Sequence, residues 1–401
     1  MKKDVEERAI AVPGFRFGAA ACGIKASGLA DVGVVACDRP ATAAAAFTRN
    51  LFRAAPVVVA RERLRSGRLQ AIAVNSGNAN ACTGRRGLAD ARRTCDVAAR
   101  ALAVAPALVA PASTGIIGVP LPMAELENGI AVAVASAEQG GLWRFARAIM
   151  TSDAFPKVAS ETVAIGRRRV TLAGIAKGAG MIAPDMATLL VFFLTDAALR
   201  RREAAAIARA VCSESFNELS VDGDTSTNDS LFLLAGGAAE NDPPAAGSAA
   251  FRALERAACR IGTELARQVA MDGEGATKVV AIEVTGAPSA SAARRVARTV
   301  GGSTLVKTAF FGSDPNWGRI ACAIGYAGVS VDPDRVAIRI GDAVVFRRGT
   351  GVAEGREAAR AAMADGEFTV RIDLASGSGR ARFLTSDLSH DYVEFNSAYT
   401  T

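Results

Sequence analysis

An unbroken hydrophobic run at residues 189–194 follows directly on a polar, glycine-rich loop. The run is short and contains valine and phenylalanine, which is typical of a strand buried on both faces. The preceding loop contains Gly178 and Gly180, which permit unusual backbone angles, and Pro184, which opposes a helix. Thr188 lies at the junction. The pattern therefore predicts one hydroxyl at the point where a loop enters buried sheet.

The rest of the chain alternates short hydrophobic runs with segments of helical periodicity. Predicted strands lie at 32–36, 57–60, 70–74, 108–115, 163–165, 170–175, 231–234, 279–284, 336–340 and 368–374. Predicted helices lie at 87–104, 122–150 with a break near Gly140, 199–216, 251–269 and 289–300. Polar loops are expected at 75–80, 221–230 and 312–319. This succession predicts an α/β protein built in layers.

Charge and composition argue against a nucleic-acid-binding protein and against a membrane protein. Half of the 401 residues are hydrophobic, and the formal net charge of +7 comes from scattered arginines. No basic stripe is interleaved with aromatic residues, so the sequence does not indicate nucleic-acid binding. We find no signal peptide and no hydrophobic run long enough to cross a bilayer, which argues against a membrane partner.

Cysteine and histidine usage limits the available chemistry. The seven cysteines are odd in number and show no CxxC spacing, so we predict no metal site and no disulfide scaffold, and we expect a cytoplasmic protein. His390 is the only histidine, which all but excludes a histidine-based triad or a multi-histidine metal site.

Two kinds of chemistry fit the loop before residue 189. Gly178, Gly180 and Ala183 match a dinucleotide fingerprint, but that fingerprint requires a helix next, and here Pro184 and a strand follow. Alternatively, Thr188 is a nucleophile that supplies its own base. Cleavage of the bond before it would free an α-amine with a pKa of about 7.7–8.0. An ordinary buried threonine at a strand start also remains open.

Residues 177–190 carry a family resemblance. Their sequence is Lys-Gly-Ala-Gly-Met-Ile-Ala-Pro-Asp-Met-Ala-Thr-Leu-Leu, similar to the self-cleavage motif of the ornithine acetyltransferase (glutamate N-acetyltransferase, ArgJ) family of arginine biosynthesis. Further stretches that resemble this family lie at 14–15, 23–25, 47–48, 74–84, 113–118, 222–229, 272–278, 314–319 and 389–401. The resemblance covers nearly the whole chain in the same order.

The resemblance implies an αββα layered fold of the ArgJ/DmpA type, self-cleaved between Ala187 and Thr188. Residues 1–187 would form an α chain and residues 188–401 a β chain, intertwined and associated as an α2β2 heterotetramer. The implied reaction moves acetyl from N2-acetylornithine to glutamate without a cofactor. Acetyl-CoA as a further donor is left open, and an aminopeptidase or amidase of related fold is the alternative enzyme. A third reading is an uncleaved α/β binding protein.

The family's functional residues map onto named positions of this sequence. Thr188 would be the nucleophile and acetyl carrier, with Thr114 and the Gly115 N–H as the oxyanion hole. The implied substrate-binding residues are Thr151, Lys177, Thr188, Glu274, Asn396 and Thr401. Two positions depart from the family pattern: Ser152, where a second threonine is common, and Leu189, where methionine is common. The substrate contact assigned to Thr151 could therefore belong to Ser152.

Overall fold

The fold of this chain, seen in a computed structural model that describes residues 7–183 and 189–398, is built on two mixed β-sheets. Strands and helices are numbered in chain order. None of the helices in these two ranges is long and apolar enough to cross a membrane.

The first sheet has the strand order β4-β3-β2-β9-β7-β6-β5, with β1 paired to β2. Its strands are β1 (Phe15–Ala20), β2 (Val32–Phe47), β3 (Arg68–Asn78), β4 (Val109–Ile116), β5 (Lys157–Ile165), β6 (Arg168–Lys177), β7 (Leu190–Thr195) and β9 (Ser230–Ala235). The register between β2 and β3 shifts between Ala36 and Ala41. The first part of β2 pairs with β1, and the last part pairs with β9. Strand β2 thus belongs to two halves of the sheet.

The two halves of the first sheet enclose a common core. An aromatic row crosses it from β1 through helix α4 (Leu142–Ala148) to β7 and β9. Ring centroids are 6.1 Å apart for Phe17 and Phe145, 5.3 Å for Phe145 and Phe192, and 5.8 Å for Phe192 and Phe232. All four rings are buried. Such aromatic pairs each contribute about 0.5–1.5 kcal/mol beyond area burial.

Helices cover the outer face of each half, except α4, which contributes to the common core. The helices of this unit are α1 (Ala55–Arg63), α2 (Gly84–Leu102), α3 (Met123–Ala135), α4 (Leu142–Ala148), α5 (Arg201–Glu214) and α6 (Ala249–Met271). Helices α2 and α3 pack on Val32 and Val34 of β2, while α5 and α6 pack on Val191 and Phe193 of β7. The layers therefore run helix, sheet, sheet, helix, and the predicted αββα arrangement is confirmed.

A second sheet with its own core follows in the C-terminal part of the chain. Its strand order is β13-β12-β11-β14-β10-β15-β8. The elements are β8 (Leu219–Ser220), β10 (Val279–Ala287), β11 (Ala337–Ile340), β12 (Ala343–Arg347), β13 (Thr350–Gly351), β14 (Glu367–Asp373), β15 (Gly379–Ser386), α7 (Ala290–Gly302), α8 (Thr304–Phe311), α9 (Trp317–Gly325), α10 (Arg356–Ala364) and α11 (His390–Ala398). Helices α7 to α10 cover one face of this sheet. The predicted four-layer scheme did not include this unit.

Some sequence predictions were wrong at the level of single elements. Residues 57–60, predicted as a strand, lie in α1, where Pro56 occupies the first turn and favours the helix start. The loop predicted at 75–80 is partly strand, because β3 continues to Asn78 in parallel pairing with β4. The loop predicted at 312–319 ends early, since α9 begins at Trp317 and the Asn316 side chain accepts a hydrogen bond from Arg319 N–H.

The segment that ends at residue 187 and the segment that begins at residue 188 both contribute strands to the first sheet. Strands β2 and β6 come from the first segment, and β9 and β7 lie between them and come from the second. Strand β7 is buried at every position, as the hydrophobic run predicts. If the chain is cleaved as predicted, these backbone hydrogen bonds hold the two products together. The division into two chains stays a prediction.

Candidate active site

A cavity of about 200 Å³ opens where four strands of the first sheet end or begin. Strands β4 and β6 run into it, and β7 and β9 start from it. The predicted site residues on its wall are Thr114, Gly115, Thr151, Lys177, Glu274 and Asn396. Three further predicted site positions, Ala187, Thr188 and Thr401, lie outside the described residues. The fold thus brings together the predicted residues that it describes.

Lys177, the last residue of β6, connects two of the predicted hydroxyls. The side chain is buried, and its Nζ donates hydrogen bonds to Thr151 Oγ1 at 2.7 Å and Thr114 Oγ1 at 3.2 Å. Ser152 also lines the cavity, but it is Thr151 whose hydroxyl contacts Lys177. A cation is therefore fixed beside the residue predicted for the oxyanion hole.

Gly115 occupies a backbone position that only glycine fits. Its φ is +130°, and an added Cβ would lie 2.3 Å from the carbonyl carbon of Gly77. This close approach occurs where β3 and β4 lose regular register near Asn78. A side chain at residue 115 would both strain the backbone and separate the two strands.

Glu274 is connected both to the loop before the predicted cleavage site and to the C-terminal helix. Its N–H donates to Ala179 O at 3.0 Å, and Asn396 Nδ2 donates to Glu274 Oε2 at 3.1 Å. Ser389 Oγ, just before α11, donates to Gly275 O at 2.5 Å. The tail is thus ordered as far as Asn396, and it places a side-chain amide at the cavity.

The polar loop at 222–229 holds the segment that leads to the predicted cleavage bond. Asp222 accepts hydrogen bonds from Met181 N–H at 2.6 Å and Ile182 N–H at 2.8 Å. Thr225 Oγ1 donates to Ala183 O at 3.0 Å. Met181 has a φ of +56°, a conformation uncommon for residues other than glycine. Burial raises the pKa of Asp222, against the opposing effect of these backbone donors.

With this geometry in place, comparison with known proteins identifies the family. A sequence model described as "ArgJ family" matches residues 16–401. A Geobacter sulfurreducens protein named "Arginine biosynthesis bifunctional protein ArgJ" is 46% identical over 393 residues, covering 97% of this chain and 100% of that protein. This chain belongs to the ArgJ family. A protein of the same name from Brucella melitensis is 44% identical over 393 residues, covering 97% of this chain and 95% of that protein.

Solved structures of ArgJ proteins are also similar in sequence. The arginine biosynthesis bifunctional protein argJ from Bacillus halodurans is 38% identical and covers 51% of this chain and 96% of that chain, with a TM-score of 0.49. Ornithine acetyltransferase from Mycobacterium tuberculosis, solved in complex with ornithine, is 41% identical and covers 45% of this chain and 98% of that chain, with a TM-score of 0.40. The family and enzyme predictions made from the sequence are confirmed by the family match and the full-length relatives.

The cavity rests on a buried ionic cluster that sequence reasoning missed. Lys157 Nζ lies 2.7 Å from Asp153 Oδ1 and 2.5 Å from Asp272 Oδ2, and all three side chains are buried. Asp153 also accepts hydrogen bonds from the N–H groups of Thr151 at 2.9 Å and Gly178 at 2.6 Å. One carboxylate therefore fixes the backbone on two sides of the cavity.

The pKa values of the two carboxyl groups in this cluster, Asp153 and Asp272, shift in opposite directions. Burial acts to raise the pKa of Asp153, but Lys157 and Lys177 outweigh it and hold that pKa below its ordinary value. Lys177 Nζ lies 3.6 Å from Asp153 Oδ2. Burial raises the pKa of Asp272, although Lys157 opposes the rise. Asp153 is thus an anion held between two lysines.

Proposed function

We propose that this ArgJ-family protein is a glutamate N-acetyltransferase that takes acetyl from N2-acetylornithine. The proposal is supported by family membership over residues 16–401 and by a cavity that combines hydroxyls, a fixed cation and a carboxylate. The observation that carries it is the contact of Lys177 with both Thr114 and Thr151, because a cation and two hydroxyls on one cavity wall suit acyl transfer. Aligned donors at a developing oxyanion are commonly the largest contribution to acyl transfer.

The proposed enzyme activates itself by breaking the Ala187–Thr188 peptide bond. The freed α-amine of Thr188 then accepts the hydroxyl proton as Oγ attacks the acetyl carbonyl of N2-acetylornithine. Thr114 and the Gly115 N–H stabilise the oxyanion. The C–N bond breaks, ornithine leaves with the proton, and acetyl remains on Thr188 Oγ. The amine of glutamate then attacks this ester and regenerates the hydroxyl.

Two charged side chains on the cavity wall suit an α-amino acid. Lys177 supplies a cation for the substrate carboxylate, and Glu274 supplies an anion for an ammonium group. Asn396 contacts Glu274 and orients its carboxylate. Thr401 is proposed to close the site from the C-terminal end. Because ornithine carries a side-chain ammonium and glutamate does not, Glu274 is expected to matter more for the donor than for the acceptor.

We also propose that the cleaved chains form an α2β2 heterotetramer in the cytoplasm. All seven cysteines are unpaired, as a reducing compartment would keep them.

We further propose that acetyl-CoA serves as a second acetyl donor, in line with the "bifunctional" names of the relatives. Glutamate acetylation with acetyl-CoA as the sole donor tests this, and no product would refute it.

Mass spectrometry tests self-activation. The purified protein is expected as two chains that divide between Ala187 and Thr188, whereas Thr188→Ala stays intact and inactive. Thr195→Ala is the matched control, because Thr195 ends strand β7 and does not line the cavity. An active, cleaved Thr188→Ala chain would refute the nucleophile assignment.

A second assay separates a transferase from an amidase. The acetylated enzyme is isolated and its loss of acetyl is followed with and without glutamate. Glutamate should accelerate deacetylation and appear as N-acetylglutamate. Deacetylation that is indifferent to glutamate would contradict the transferase and favour release to water.

A further inference from the structure

A buried carboxylate on the cavity wall has no role in the mechanism so far. Within residues 7–183 and 189–398, buried carboxylate oxygens without a hydrogen-bond partner occur on Asp90, Glu203 and Asp229. Of these three residues, only Asp229 lines the cavity. Buried polar atoms are normally paired, since an unpaired one is destabilising. An unpaired carboxylate oxygen at a reaction site therefore indicates a group that acts on something bound or formed there.

The backbone places Asp229 next to strand β7, which follows the predicted cleavage site in the sequence. It directly precedes β9, which runs parallel to β7 with Ser230 opposite Leu190. Ser230 N–H donates to Leu189 O at 3.0 Å. Leu189 is covalently joined to Thr188. Asp229 thus lies beside the start of β7, and Thr188 comes two residues before that start in the sequence.

The surroundings of Asp229 favour a neutral carboxyl. The side chain is 1% exposed, and burial raises its pKa well above the ordinary value. The hydroxyls of Ser226 and Thr48 and the ammonium of Lys177 act against this rise. A protonated carboxyl has both a donor and an acceptor oxygen. It can accept one proton and give up another with no net change.

We propose that Asp229 is a catalytic residue that relays the proton during self-cleavage, an inference that rests on the proposed function. Thr188 Oγ bonds to the carbonyl carbon of Ala187, and the hydroxyl proton passes to Asp229 Oδ2. The proton on Asp229 Oδ1 passes to the Thr188 nitrogen as the C–N bond breaks. The product is an ester between Ala187 and Thr188 Oγ with a free α-amine. Water then hydrolyses the ester to the Ala187 carboxyl group and the Thr188 hydroxyl.

The test compares cleavage rates of full-length chains made by cell-free translation and pulse-labelled. Asp229→Asn keeps the shape of the side chain but cannot relay a proton, and we expect cleavage to slow by about 100-fold or more. Glu203→Gln is the matched control, since it also alters a buried carboxyl with an unpaired oxygen but does not line the cavity. It should cleave at the wild-type rate. Asp229→Asn cleavage within about threefold of wild type would overturn the proposal.

Folding is checked by circular dichroism and the thermal midpoint of each variant. If Asp229→Asn does not fold, Asp229→Glu replaces it, because it keeps a carboxyl that can carry a proton but moves it by one methylene group. That variant should cleave several-fold more slowly, and a wild-type rate would overturn the relay. A wild-type chain that stays intact refutes self-cleavage and the relay together. Wild-type cleavage with an equally fast Asp229→Asn refutes the relay alone.

Discussion

Two buried lysine clusters, one in each sheet unit, use similar groups in different ways. In the second unit, Lys278 Nζ donates to Phe310 O at 2.6 Å, Phe311 O at 3.2 Å and Ser313 Oγ at 2.5 Å. Lys307 is satisfied in the same manner by Thr385 Oγ1, Ser386 O and Ser386 Oγ. An ammonium group has three N–H donors, and in both Lys278 and Lys307 three acceptors are available to them.

At the cavity, Lys177 has a different set of partners. It donates to two hydroxyls, and its third neighbour is the Asp153 carboxylate at 3.6 Å. Hydroxyl groups on a cavity wall can rotate and exchange partners with a bound molecule, and Thr114 and Thr151 both line the cavity. The comparison teaches that a buried lysine whose partners all lie away from the cavity stabilises the fold, while one held by hydroxyls on the cavity wall remains available for substrate.

Lys177→Met should give the largest effect on activity. It removes the cation and a donor beside Thr114, so we expect kcat/KM for acetyl transfer to fall roughly 100- to 1,000-fold. Stability should change little, because Asp153 keeps Lys157 as its partner. Steady-state kinetics and urea unfolding measure the two quantities. Lys307→Met serves as the matched control, because it removes a buried lysine of the second unit. Near-normal kinetics for Lys177→Met would show that the two lysine clusters do not differ in their effect on catalysis.

Asp153→Asn should reduce both activity and stability. The change leaves Lys157 buried with one anionic partner, and removing one member of a buried ionic cluster costs about 3 kcal/mol. It also weakens the contacts to Thr151 N–H and Gly178 N–H that shape the cavity. Urea unfolding and kcat should therefore decline together. A variant with wild-type stability and reduced kcat would show that this cluster acts on the reaction only.

The strands and the layer order could be predicted because they depend on local pattern. Residues 189–194 are hydrophobic at every position, and strand β7 is buried at every position. Residues 57–60 show the limit of the same rule. Three valines in a row fit a strand or a buried helix turn, and Pro56 together with the packing of α1 decided the outcome.

The supporting groups of the site could not be predicted because their partners are distant in sequence. Lys157 and Asp272 are 115 positions apart, and no local pattern relates them. Asp229 was visible within a polar loop, but the sequence does not reveal that it is buried with an unpaired oxygen. Thr114, Thr151 and Lys177 were predicted from family motifs, and their mutual contacts required the fold.

Lys307→Met should lower stability and leave transfer intact. It leaves Thr385 and Ser386 without their shared donor in a buried region, which costs about 2 kcal/mol. At a temperature where the variant is folded, kcat/KM should match wild type. Loss of kcat/KM in the folded variant would mean that the second cluster also controls the cavity.

We also expect Lys307 to make the free energy of unfolding depend on pH. Burial lowers the pKa of Lys307 from 10.5 to about 8, with Asp387 and Asp222 opposing the shift. Between these two values the unfolded chain binds more protons than the folded chain, so the contribution of Lys307 to stability rises with pH. Urea unfolding at pH 7.5 and 9.5 should show the wild type gaining about 1–2 kcal/mol relative to Lys307→Met. An unchanged difference would contradict the shift.

Gly180→Ala should give the smallest and most selective effect. A Cβ there would lie 2.3–2.5 Å from the Glu274 carboxylate, and the flexible end of Glu274 must move away. Its contact with Asn396 is then lost. We expect KM for N2-acetylornithine to rise about five- to tenfold, near 1 kcal/mol, with kcat and the KM for glutamate nearly unchanged. Gly140→Ala is the control, since a Cβ there meets no described atom within 4 Å. A fall in kcat with KM unchanged would instead place Glu274 at the reacting acetyl group, beside the hydroxyls that Lys177 holds.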